Sequence, residues 1–123
     1  MADLDTRLIA AAQAYISALA THRADDVPFA RDCTRIEAGL KTGFSGNHLR
    51  RSLNRGFQYR VIESVTTPEF VVHDGKVQAK FDVITKPSLA GRRVCSHVDE
   101  TFTFNADGEI LHIRAKLTPF IKR

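Results

Sequence analysis

The stretch EFVVHDGKVQAKFDVITK, residues 69–86, decides how this chain reads. Asp74-Gly75 is a dipeptide suited to the positive φ angles of a two-residue hairpin turn, and it separates two runs of strand-forming residues. In the second run Val77, Ala79, Phe81 and Val83 alternate with Gln78, Lys80 and Asp82, so one face of the strand is apolar and the other polar. Such a strand rests one face on a core.

The same period extends in both directions. After a turn at residues 87–91, residues 92–105 read as a long strand, and Asn105-Ala106-Asp107-Gly108 turns the chain into a last strand over 109–117. There Leu111, Ile113, Ala115 and Leu117 alternate with Ile110, His112, Arg114 and Lys116. Upstream, residues 58–65 supply another strand. Consecutive hairpins of this kind predict an antiparallel meander.

Before Phe57 the period becomes helical. Leu4, Leu8, Ala11, Ala12, Tyr15, Ile16 and Leu19 mark one face of a helix over residues 3–21, with Asp3 or Asp5 placed to cap its start. A polar break at 22–26 precedes a single helical turn at 27–30, where Pro28 is tolerated only near the beginning. Residues 34–40 read as a short strand and 45–53 as a second helix capped by Ser45 or Asn47. Gly39, Gly43 and Gly46 predict a mobile or tightly turned connection between them.

A chain of 123 residues is the size of one domain, and 43% hydrophobic against 26% charged residues is the balance of a packed globule rather than a disordered chain. The expected class is therefore α+β, a single domain over residues 1–123. Its helices lean on a strongly curved antiparallel sheet and close it, as a cone, over an apolar pocket. The apolar stripe of one helix is too narrow to cover the whole sheet, so the cavity is expected at one end.

No run approaches the ~18 apolar residues that cross a membrane, and Asp3 and Asp5 stand where a signal peptide carries basic residues, so the expected setting is soluble and cytoplasmic. In that setting Cys33 and Cys95 are expected to be reduced, buried thiols. The net charge of +4 is dispersed over Arg50, Arg51, Arg55 and Arg60, then Arg92 and Arg93, then Lys116, Lys122 and Arg123, which forms no continuous stripe for nucleic acid. No His-x-x-His pair, phosphate loop or Gly-x-Ser-x-Gly elbow occurs, so neither metal nor cofactor is expected. Ser45 to Arg51 reads as a solvated helix face in preference to an anion-binding helix start.

Three stretches carry a family resemblance: Gln13 to Leu19 in the first helix, Phe29-Ala30-Arg31-Asp32 before the first strand, and Phe102 to Gly108 at the penultimate turn. Their order resembles the nuclear transport factor 2-like superfamily, which includes ketosteroid isomerases and SnoaL-like polyketide cyclases. The resemblance implies a pocket for an apolar small molecule carrying a carbonyl group, and homodimers formed through the sheet. It also implies that Tyr15 and a protonated Glu100 donate hydrogen bonds to an enolate oxygen. Glu100 shares its face with Phe102 and Phe104, surroundings that raise a carboxyl pKa.

The family's base falls on Ala38, which carries no proton. Its neighbour Glu37 points the other way in a regular strand, so either a bulge turns Glu37 inward, or His48, His97 or Asp99 serves, or the chain binds without isomerising. Glu37 has a structural alternative in pairing with Arg35 or Arg60. Tyr15 equally suits a core edge, and a one-residue register slip would expose Glu100 and turn Asp99 inward. His97 and His112 are expected on the outer sheet face. The pocket lining implied is Phe29, Ala38, Leu53, Phe81, Val83, Phe102, Phe104, Ile113 and Ala115.

Overall fold

The computed structural model describes residues 2–88 and 91–122. The elements run α1 (Ala2–Thr21), β1 (Phe29–Glu37), β2 (Leu40–Gly43), α2 (Gly46–Arg55), α3 (Phe57–Arg60), β3 (Ile62–Val65), β4 (Glu69–His73), β5 (Lys76–Thr85), β6 (Arg93–Phe104) and β7 (Ile110–Lys122). Part of the turn expected at 87–91 falls on residues 89 and 90, outside the described residues.

The helical period of the N-terminal segment becomes a buried stripe. Leu8, Ala12, Tyr15, Ile16 and Leu19 all lie within the core, while Leu4, one turn earlier, is exposed. The helix ends when His22 turns left-handed at φ +61 and its amide bonds the Ala18 carbonyl at 2.9 Å. At the start of α2 the Ser45 hydroxyl accepts from the His48 amide at 3.0 Å.

Gly46 permits a close approach at that point, because a Cβ there would strike the carbonyl of Ala30 in β1. Gly46→Ala is therefore expected to destabilise the protein by about 2 kcal/mol, the usual cost of overpacking. A thermal unfolding curve with an unchanged midpoint would contradict that contact.

The strands form one curved, unclosed mixed sheet in the order β2-β1-β7-β6-β5, with β3 and β4 sharing the far edge of β5. The antiparallel meander holds from β4 to β7. It fails at β3, which pairs with β5 instead of with β4, and β1, which precedes the meander, lies parallel to β7, a pairing that needs the long crossover the intervening chain provides.

Three local readings are corrected. Residues 27–30 make no helical turn, because Phe29 opens β1 and the Pro28 carbonyl accepts from Ile110 at 2.8 Å, so cross-strand bonding wins over local winding. Residues 58–61 are no strand, because the amides of Tyr59 and Arg60 both bond the Gly56 carbonyl and close the single turn of α3. Residues 38–40 do not continue the first strand. Ala38 and Gly39, at φ +51 and +80, form a two-residue hairpin into β2, the same device as Asp74-Gly75 at φ +51 and +72.

The core fills only one end of the sheet's inner face. Val77, Phe102 and Ile113 are completely buried among α1 and its neighbours. Along the same face of β6 and β7, exposure rises beyond Glu100 and Ala115 to 39% at Leu117 and 61% at Ile121. Between these two regimes lies a cavity.

Candidate functional site

The cavity has a volume of about 250 Å³, just below the usual range for small-molecule sites. Leu19, Ile62, Val83, Val98 and Ala115 give it apolar walls, and Gln58, Val61 and Leu117 form its exposed mouth. Tyr15, Glu37, Tyr59 and Glu100 are the groups on its wall that carry a phenol or a carboxyl.

Glu37 faces inward because the inner positions of β1 are Cys33, Arg35 and Glu37, with the six-residue stretch from Phe29 to Thr34 set against only three residues of β7. That irregularity sets the strand's parity opposite to the expected one, and Ala38 ends up in the exposed hairpin. Tyr59 donates to Glu37 Oε1 at 2.7 Å, Thr42 donates to the same oxygen at 2.8 Å, and Arg35 Nε stands 3.5 Å from it. These three contacts all fall on one carboxyl oxygen, Oε1.

Glu100 has the opposite surroundings. It is 2% exposed, and its Oε1 has no hydrogen-bond partner among the described residues. Burial, reinforced by the charge of Glu37 and opposed by Arg35, pushes its carboxyl up to about 8. At neutral pH it is an acid with a proton to donate, beside a carboxylate whose charge is met by donors.

Arg35 is the cation behind both. Its side chain is wholly buried, donating from Nη1 to the Tyr15 hydroxyl oxygen at 3.2 Å and from Nη2 to the Thr42 carbonyl at 3.1 Å. Its guanidinium also lies over the Tyr59 ring, 4.8 Å from the centroid. Burial, only partly offset by Arg35, holds the Tyr15 phenol well above its usual value, so it stays protonated. Tyr15 is further fixed by edge-on contacts with Phe29 and Phe102, at 6.0 and 5.5 Å between ring centres.

Tyr15, Glu37, Glu100, Val83 and Ala115 thus meet at one cavity. Phe29, Leu53, Phe81, Phe102 and Ile113 stand in the packed core behind its wall, and Phe104 packs against that core half-buried, because α1 fills that end of the sheet. Sequence reasoning named Arg35 only as a pairing partner for Glu37, a contact the structure shows at 3.5 Å, without foreseeing its burial beside Tyr15, and it missed Tyr59. Arg35 carries a charge on an inner face, and Tyr59 is brought in by a single helical turn whose only local signal is Gly56.

The other acid–base candidates lie elsewhere. His97 pairs with Asp82 at 2.7 Å and stacks on Phe120, Asp99 accepts from Gln78 at 2.9 Å, and His48 Nδ1 accepts from the Phe44 amide at 3.2 Å. His112 bonds Thr34 at 2.8 Å. Cys33 and Cys95 are free and buried, and burial pushes the Cys33 thiol up to about 12. Among the described residues no cluster of His, Cys, Asp and Glu could hold a metal ion, and no helix is long and apolar enough to cross a membrane.

Residues 2–117 match the family model described as "Domain of unknown function (DUF8021)". No curated protein matches the chain. Among solved structures it is similar to an NTF2-like protein of unknown function from Cytophaga hutchinsonii, with TM-score 0.75, 12% identity, and 94% of this chain and 99% of that one covered. It is also similar to SalBIII, an epoxide hydrolase/cyclase-like enzyme of pyran ring formation in salinomycin, with TM-score 0.72, 17% identity and coverage of 96% and 95%. A SnoaL-like family protein from Agrobacterium tumefaciens aligns with TM-score 0.64, 16% identity and coverage of 92% and 98%. At such identities the likeness is one of fold. The chain belongs to the family described as "Domain of unknown function (DUF8021)" and carries it on the nuclear transport factor 2-like, SnoaL-like fold.

Proposed function

We propose that the protein is a general acid–base enzyme that moves a proton on an apolar small molecule bearing a carbonyl group. The observation that carries this reading is the pair of carboxyl groups on one cavity wall in opposed surroundings, Glu37 with two hydroxyl donors and an arginine cation and Glu100 with no partner at Oε1. Two carboxyls whose environments separate their protonation states divide naturally into a base and an acid.

The Glu37 carboxylate takes a proton from the carbon beside the carbonyl, and the C–H electron pair moves to the carbonyl oxygen. Neutral Glu100 donates a hydrogen bond to that oxygen without losing its proton, and Tyr15, whose own oxygen accepts from Arg35, keeps its hydroxyl proton as a second donor. Glu37 then returns the proton, to the same carbon or to a conjugated one. An acid and a base on one cavity wall would also suit a ring closure such as the pyran ring formation named for SalBIII.

The test is solvent deuterium exchange into phenylacetone, followed by NMR. Exchange is expected to be catalysed, to fall by about 10²–10⁴-fold in Glu37→Gln, and to decline as pH rises through about 8, where Glu100 loses its proton. Thermal stabilisation by the ketone with no exchange would mean a binding module instead. Full exchange in Glu37→Gln would remove Glu37 as the base.

A further inference from the structure

The cavity opens onto apolar surface. Strands β6 and β7 outrun their neighbours. Pairing of β5 with β6 ends at Val83 opposite Ser96, pairing of β1 with β7 ends at Glu37 opposite Ala115, and yet β6 and β7 stay paired to Arg93 and Lys122. On the face that carries Glu100, the successive cross-strand pairs are Val98 with Leu117, Ser96 with Pro119, and Val94 with Ile121. The first three of these residues in the direction of the mouth, Val98, Leu117 and Ser96, line the cavity. Pro119, Val94 and Ile121 continue the same face into solvent, with Val94 54% and Ile121 61% exposed.

We infer that the substrate is elongated: its reacting carbonyl end sits in the cavity, and an apolar chain leaves through the mouth to lie along this two-stranded apron. The inference rests on the acid–base reading above and adds the shape of its substrate. Two observations support it. A cavity of about 250 Å³ is too small to bury a large apolar compound alone, and the apron is continuous with the cavity wall on one sheet face. From Leu117 to Ile121 the strand rise offers a track of about 13 Å. An apolar chain is the occupant that gains from covering Val94, Pro119 and Ile121 while its head stays at Glu37 and Glu100.

The test measures binding of unbranched 2-alkanones of increasing length to the full chain by isothermal titration calorimetry, with sedimentation at the same concentrations. Each added methylene is expected to tighten binding about two- to fourfold until the apron is spanned, after which affinity levels off. In Val94→Asp and Ile121→Asp, whose side chains are exposed enough to leave the fold intact, short ketones are expected to bind as in the wild type while the dependence on length disappears. Equal affinity for short and long ketones would overturn the elongated substrate and leave the acid–base reading standing. Binding of no ketone at any length would overturn both. A dimer that dissociates in the two aspartate variants would identify the apron as a contact between copies, which also overturns the inference.

Discussion

Glu100→Gln is expected to raise the melting temperature at pH 9 by about 10 °C and to leave it nearly unchanged at pH 4. The direction follows from which state holds the proton. The folded-state pKa of Glu100 is raised from 4.5 to about 8, so below pH 4.5 both the folded and the unfolded chain carry the proton and the group does not affect stability. Between pH 4.5 and 8 the folded protein keeps a proton that the unfolded chain has released, and stability falls with rising pH. Above about 8 the folded protein bears a buried charge, at a cost of roughly 3–5 kcal/mol. Glutamine has nearly the same shape and no charge to bury. Melting curves of both proteins from pH 4 to 9 check this, and parallel curves would contradict it.

The second large effect belongs to Arg35. Arg35→Ala is expected to destabilise the protein by about 3–5 kcal/mol, because it leaves the Glu37 charge without its cation and strips donors from Tyr15 and Thr42. Arg35→Met with Glu37→Gln removes both charges together and fills the volume, and is expected to recover most of that loss. Denaturant titration of the single and double variants measures the coupling. Additive losses would show that the two side chains do not act as a pair. Arg35 also holds Glu100 down, so its removal is expected to push the Glu100 pKa further up.

These effects centre on residues that differed greatly in how far the chain itself announced them. Tyr15 and Glu100 were legible because each lies in a long regular element. The stripe of α1 places Tyr15 beside Ile16 and Leu19, and the uninterrupted alternation of β6 puts Glu100 on the face of Phe102. The parity of β1 was not legible, because it depends on an irregular pairing with β7, a strand more than seventy residues away. Local alternation also cannot reveal that Ala38 takes a left-handed turn conformation, which ordinarily selects Gly, Asn or Asp.

Arg35 illustrates a further limit. Binary patterning assigns a charged residue to solvent, and only the convergence of Thr42, Tyr15, Ser52 and Glu37 around the guanidinium makes its complete burial affordable. Those partners come from β2, α1, α2 and β1, so no single stretch of sequence contains the reason. Tyr59 is similar, since residues 58–65 have the composition of a strand and Gly56 alone diverts their first residues into α3. These residues are thus the ones defined by long-range contacts, and they convert an isolated buried acid into a site with a second carboxylate facing it.

That contrast between two carboxyls is most directly tested by NMR titration of the protein with its glutamate side-chain carboxyl carbons labelled, the Glu100 signal being assigned through Glu100→Gln. The account predicts that Glu100 titrates with an apparent pKa of about 8. A midpoint near 4.5, the value of an ordinary glutamate, would contradict it.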